Sequence, residues 1–299
     1  MTQVSTTLSN AGQADELRAP RSLWSDAWRR LRRNKAAMIS SLAVVLLVLV
    51  AIFADLLAPY PYAEQHIRET FRPIGTPGYA LGTDQLGRDL LSRLIYGTRI
   101  SLGVALVAQI ITLLIGVPLG LIAGAGSRTL DNLIMRVTDV IYAFPDLLFV
   151  IIIMAVLGRN ILFVPLAIGI VNWTTMARLV RGQVLSLRER DFVLAARALG
   201  IPPWRIMLQH MLPNALTPII VAVTLGVPQY IMLESTLSFI GIGVQPPMPS
   251  WGLMINDGFN SIFSYPHMVL LPGVAIALTM LSFAFLGDGL RDALDPRDR

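Results

Sequence analysis

Cysteine is absent from the 299 residues of this chain, which excludes a disulfide framework and any thiolate metal site. Histidine is scarce as well: His66, His210 and His267 stand far apart and make a poor metal set. Charge is short too. Only 14% of the residues are charged against 54% hydrophobic, whereas a soluble surface needs roughly a quarter charged residues. There is no phosphate-cradling GxxxxGK[ST] stretch, no Ser, His and Asp constellation and no ladder of charges within the apolar runs. These absences argue against nucleotide hydrolysis, nucleophilic catalysis and proton-driven transport by this chain itself. It does not read as an enzyme, and no cofactor of its own is expected.

Long charge-free runs are what the sequence does have. Crossing about 30 Å of hydrocarbon takes about 20 helical residues, and the chain supplies several such runs. The expected fold class is all-α, a polytopic membrane bundle of six transmembrane helices. Residues 1–35 read as a cytoplasmic tail, its first 22 residues polar and disordered. It ends in Arg29, Arg30, Arg32, Arg33 and Lys35, a cluster that holds that end inside rather than gathering nucleic acid. The first span is 36–57 and an extracytoplasmic segment is 58–97. A five-helix core is 98–287, with a cytoplasmic loop at 178–213, and a polar cytoplasmic tail is 288–299. Of the 24 Lys and Arg, only Arg68, Arg72, Arg88, Arg93, Arg99 and Arg159 fall outside. That bias puts both ends in the cytoplasm, with membrane lipid as one partner and nucleic acid not among them.

Within these segments the spacing makes particular expectations. Thr83 or Asp84 can cap a short surface helix carrying Leu86, Leu90, Leu94 and Ile95 on one face, with Asp84–Arg88 and Asp89–Arg93 paired on the other. Gly116, Gly120 and Gly124 share a helix face suited to close packing, and Pro118 predicts a bend there. The third span runs as one helix from Asp131 to Gly158, with Arg136 able to pair with Asp139. Asp146 is either a pathway-lining acid or a boundary residue beside Pro145. Gln109, Asp146 and Glu234 are candidates for a translocation path, and Glu234 closes the fifth span. The segment Arg190–Pro213, RDFVLAARALGIPPWRIMLQHMLP, is polar, basic and helix-forming among apolar neighbours. It is the obvious surface for a partner, and any energy for uphill transport must come from another chain.

That segment carries a resemblance. Ala195, Ala196, Gly200, Leu212 and Pro213 resemble the EAA signature of the membrane subunits of ABC importers, EAA-x3-G-x9-I-x-LP. GTDQLGRDLLSRLIYGTRISL (82–102), MRVTDVIYAFPDLL (135–148), ESTLSFIGIGVQPPMPSWG (234–252) and GDGLRDALDPR (287–297) extend it along the chain. Together these blocks are similar to the C-type permease subunit of the dipeptide, oligopeptide and nickel importer family. The resemblance implies a coupling helix that docks on a cytoplasmic ATPase. Asp191, Ala195, Ala196, Arg197, Leu199 and Gly200 are its coupling residues, the two alanines seating the helix in a groove. It further implies the inner or plasma membrane of a prokaryote as the location, with a second permease subunit, two ATPase subunits that use the ATP, and an extracytoplasmic binding protein. Leu194 stands where the signature has glutamate and His210 where it has isoleucine, which puts a salt-bridge model of docking in doubt. The expected function is therefore an ATP-driven, binding-protein-dependent permease for di- or oligopeptides, working by alternating access. Nickel, glutathione and oligosaccharide remain alternatives as substrate; a secondary carrier acting alone and a non-transporting structural subunit remain alternatives as class.

Overall fold

The computed structural model describes residues 23–294. The N-terminal tail up to residue 22 and the last five residues of the C-terminal tail lie outside the described residues. All regular structure among the described residues is helical, as a bilayer demands of open-chain spans whose backbone groups must be satisfied internally.

The chain opens with α1 (Leu23–Arg33) and α2 (Lys35–Ile52), separated by Asn34, whose side chain accepts from the Ala37 N–H at 3.1 Å. Ala27 and Leu31 of α1 are buried with Ala37 and Ala293. The basic segment is therefore a docked helix, not a loose flank. One face of α2 exposes Ile39, Leu42, Leu46 and Leu49, as a lipid-facing helix must. A short α3 (Ala54–Leu57) follows at the far end of the bundle. From Ala58 to Asp89 the backbone is irregular apart from one 3-10 turn at Ile67–Glu69. Gly87, at φ +71°, packs against the His66 backbone so closely that no Cβ fits.

The expected surface helix does not form. Asp89 instead caps α4 (Leu90–Ala125) by accepting from the Ser92 N–H at 2.8 Å, and α4 then runs unbroken through the second span and Pro118. With 36 residues it is about 54 Å long, well beyond the hydrocarbon thickness. Its principal partner is α7 (Phe163–Arg188), the most extensive helix pair of the bundle. Gly116, Gly120 and Gly124 lie on that seam. A Cβ at Gly116 would stand 2.7 Å from Met176 Cβ, at Gly120 2.6 Å from the Ala177 carbonyl, and at Gly124 2.7 Å from Val184 Cβ. Gly169 of α7 reciprocates against Ile111 at 2.6 Å.

The third apolar run is not one helix. It divides into α5 (Arg128–Tyr142) and α6 (Asp146–Leu157), bent by 89°. Pro145 supplies the reason, since a proline disfavours helical geometry at the residue before it and has no N–H to continue the ladder. Asp139 pairs not with Arg136 but with Arg178 of α7 at 2.6 Å, and Asp131 holds Arg181 bidentately at 2.5 and 2.8 Å. After α7 come α8 (Asp191–Ala198), α9 (Pro203–Ile206), a π-turn at Met207–Met211 and α10 (Leu212–Phe239). The last three run together as one 37-residue apolar rod. α11 (Trp251–Phe259) lies at the far end, and α12 (His267–Leu294) returns to pack against α2 and α10. The polar stretch from Asp288 to Leu294 thus belongs to a helix rather than to a tail. Among the described residues five helices are long and apolar enough to cross a membrane, and six spans result when the bent pair counts as one.

Beside the small cluster that seats α1, two larger buried clusters form among the described residues. The larger, around Trp251, Ile231 and Met268, fills the far half; the smaller, around Val184, Ile206 and Met211, fills the arginine-rich end.

Candidate functional site

At the arginine-rich end, α8 is held by one face only. Val193 and Ala196 are buried among Val184, Ile206 and Met211, while Phe192, Leu194 and Leu199 are exposed, Leu199 at 80%. The two alanines therefore do different things: Ala196 seats the helix on its own bundle, and Ala195 faces outward with Asp191 and Arg197. Within this chain only Ala196 is covered, which leaves Ala195 as the exposed member of the pair. Gly200 ends the helix at φ +74°, the left-handed geometry that costs other residues about 1 kcal/mol. The Ile201 N–H bonds to the Ala196 carbonyl at 3.1 Å and the Gly200 N–H to the Arg197 carbonyl at 2.9 Å. This double closure is the Schellman pattern, and it returns the chain to Pro202 and α9.

The three candidate path residues are not brought together. Asp146 is exposed at the start of α6, directly after Pro145. Gln109 is buried between α4 and α10, its amide oxygen and nitrogen both without a hydrogen-bond partner among the described residues. The glycine at 226 leaves room for it; a Cβ there would stand 2.5 Å from Gln109 Oε1. One turn along, the Tyr230 hydroxyl donates to Thr112 Oγ1 at 3.3 Å, so a small polar island sits within apolar packing.

Glu234 does not close the fifth span. It lies five residues inside the end of α10 and is fully enclosed. Ser238 donates to its Oε1 at 2.7 Å and Ser235 to its Oε2 at 3.3 Å, while Ser101 and Ser250 also turn their hydroxyls to it. Three of these serines accept a backbone N–H in return: Ser238 from Val244 at 3.0 Å, Ser101 from Trp251 at 3.2 Å and Ser250 from Leu253 at 3.3 Å. Glu234 is thus the hub from which the loop after α10 is folded back onto α4, and in this conformation it lines no open path.

A second polar centre at the far end was not foreseen as such. Asp84 and Arg88 do pair, at 2.6 Å, but in the interior rather than on a wet face. Arg93 passes over Asp89 and pairs with Asp84 instead. Both guanidiniums then reach Asp257 Oδ2 on α11, at 3.0 Å from Arg88 and 2.8 Å from Arg93. Four charges that sum to zero clamp the loop before α4 onto α11. One and two turns further along α4, Gly97 receives the Trp251 ring and Ser101 its N–H, so α11 is fastened to α4 at three successive levels.

Comparison with known proteins agrees with this architecture. Residues 116–299 match the family described as "Binding-protein-dependent transport system inner membrane component". Residues 22–73 match the N-terminal TM domain of oligopeptide transport permease C. The oligopeptide transport system permease protein OppC of Bacillus subtilis is 42% identical, covering 97% of this chain and 95% of that protein. The dipeptide transport system permease protein DppC of Alkalihalophilus pseudofirmus is 44% identical over 92% and 90%. The glutathione transport system permease protein GsiD of Pectobacterium atrosepticum is 39% identical over 93% and 92%. Among solved structures, a chain of the inward-facing MetNI methionine ABC transporter aligns with a TM-score of 0.56 at 18% identity, covering 69% of this chain and 98% of that one. At that identity the likeness speaks for the fold alone. The match over more than half of the sequence, with relatives near 40% identity along almost its full length, places the chain: it belongs to the binding-protein-dependent transport system inner membrane component family.

Proposed function

We propose that this chain is one of the two permease subunits of an ATP-driven, binding-protein-dependent importer of di- or oligopeptides. It carries no catalytic centre or cofactor of its own, and ATP is used by two separate cytoplasmic subunits. The relatives named above are permeases for oligopeptides, dipeptides and glutathione, and all three substrates share a peptide backbone. A binding protein outside the cell selects the cargo, and this chain with its permease partner forms the path. The bent pair α5–α6 counts as one span, which leaves both termini and α8 on the cytoplasmic side, where the arginines concentrate.

The observation that carries the reading is α8 itself: a short helix seated by one face, its apolar side chains Phe192, Leu194 and Leu199 left in the open. Closing of the two ATPases displaces such a helix as a rigid body. The displacement passes through α9 and the π-turn into α10, so inward-open and outward-open states exchange. The deciding experiment uses Ala195→Glu and Leu199→Glu, exposed positions whose change leaves the bundle intact. In cells relying on this importer for a peptide, both variants insert in the membrane at the normal level, lose uptake, and no longer retain the ATPase subunits on purification. Normal uptake and retention in both would refute the assignment.

A further inference from the structure

Beside α8 the structure holds a recess of about 670 Å³, formed where the turn from α4 to α5, the last turn of α7 and α8 converge. Arg128, Arg188 and Arg197 line it together with Glu189, Leu194 and Ser127. None of the three guanidinium groups makes a hydrogen bond or an ion pair among the described residues, and neither does the Glu189 carboxylate. The contrast lies two to three turns back along α7, where Arg178 and Arg181 each hold an aspartate of α5. Three guanidiniums against one carboxylate leave the recess with a net charge of about +2, since guanidinium is protonated at any ordinary pH. The N-terminus of α5, capped by Ser127, opens into the same space and adds its positive end.

Leu194 makes this informative. The signature this chain otherwise resembles has a glutamate here, which would put a carboxylate at the rim of the recess and give the arginines an internal counter-charge. The leucine removes it. Chemistry that fits the vacancy is a carboxylate from outside, because the planar fork of arginine takes carboxylates bidentately. The recess is walled by α8 and continuous with its exposed face, so the source of that carboxylate is whatever covers α8.

We infer that the recess receives an Asp or Glu side chain of the ATPase subunit, so that the charge at this contact is basic on the permease and acidic on its partner. This rests on the coupling role proposed for α8 and gives the chemistry of its partner. Its sharpest consequence is a sign. Leu194→Glu restores the signature residue, yet here it occupies the arginines from within and competes with the partner's acid.

The test uses the complete importer with both permeases and both ATPases, purified in detergent and titrated with salt. ATPase retention on gel filtration and peptide-stimulated ATP hydrolysis are the readouts. Leu194→Glu is expected to weaken ATPase binding about tenfold, and Arg128→Ala, Arg188→Ala and Arg197→Ala combined to weaken it at least as much. The triple Arg→Lys variant, charge conserved, stays within about threefold of the parent and shows that the fold survives. Tighter binding by Leu194→Glu overturns the inference, because it means the partner presents a base. Unchanged ATPase binding by the triple alanine variant, with loss of co-purified phosphatidylglycerol in native mass spectra, overturns it in favour of a lipid headgroup. Unchanged binding by Leu199→Glu refutes the docking role of α8 instead, an outcome separable from either of these.

Discussion

Asp84→Asn tests the far-end ion cluster most directly. Asp84 is 1% exposed. Its Oδ1 accepts the N–H of Leu86 at 2.9 Å and of Arg88 at 3.0 Å, and its Oδ2 accepts Arg88 Nε at 2.6 Å and an Arg93 Nη1 hydrogen. The asparagine keeps the shape and the backbone contacts through one oxygen. On the other side it turns an NH2 donor toward two donors and leaves the buried set with one excess positive charge. Removing one partner of a buried ion pair costs about 3–5 kcal/mol, or about two to four powers of ten in the folded-to-unfolded ratio. Asp257, with its side chain 17% exposed, has water to replace part of what it loses. Asp257→Asn should therefore cost less, about 1.5–3 kcal/mol for hydrogen bonds to charged groups. Unfolding of the purified chain by denaturing detergent, followed by far-ultraviolet circular dichroism, measures both. A loss below about 1 kcal/mol for Asp84→Asn, or a larger loss for Asp257→Asn, would refute the view that the cluster is buried and interdependent. Combining Asp84→Leu with Arg88→Met should recover part of the loss, as apolar replacement of a buried pair commonly does.

Other expectations follow from single contacts. Gly120→Ala drives a methyl to within 2.6 Å of the Ala177 carbonyl, so α4 and α7 must part; a loss of about 1–3 kcal/mol is expected in the same unfolding assay. Gln109→Met should leave stability unchanged or raise it by about 1 kcal/mol, since the amide makes no hydrogen bond to lose. Falling peptide uptake in that variant would place Gln109 in the transport cycle, and unchanged uptake would remove it from the candidates. A Cβ at Gly200 meets no atom within 4 Å, so Gly200→Ala should cost about 1 kcal/mol through backbone strain alone, read as faster proteolysis between α8 and α9.

The spans were legible because a charge-free run of sufficient length has little alternative in a bilayer, and α2, α4, α7, α10 and α12 sit where those runs are. Gly200 was legible too, since a glycine followed by Ile201 and two prolines after a polar helix is a stop signal in itself. Pro145 marks the break in the sequence, but hydrophobicity continues across it, so a window that counts apolar residues sees one span. The docking of α1 was half available, with Ala27 and Leu31 four apart. Its receiving surface at Gly289 and Ala293 lies more than 250 positions away. Asp84–Arg88 followed from spacing, but its burial did not, because the residue that completes the cluster, Asp257, is 164 positions from Arg93. Glu234 shows the same division. Ser235 and Ser238 are its neighbours in sequence, whereas Ser101 and Ser250 reach it only through the fold, and without them an acid near a helix end passes for a boundary residue.

The π-turn at Met207–Met211 sets the phase between the two halves of the molecule. A π-turn is an α-helix that has accepted one additional residue, and each residue advances a helix by about 100°. Everything on the N-terminal side of it, α8 and α9 included, is therefore rotated by about that angle relative to the position an uninterrupted helix into α10 would impose. Deleting His210, the residue that departs from the signature within this turn, would bring the rod back to the regular α-helical phase, interrupted only where Pro213, Pro218 and Pro228 have no N–H to give. The protein so obtained would be as well folded as the parent along α10, and its α8 would point its open face in another direction.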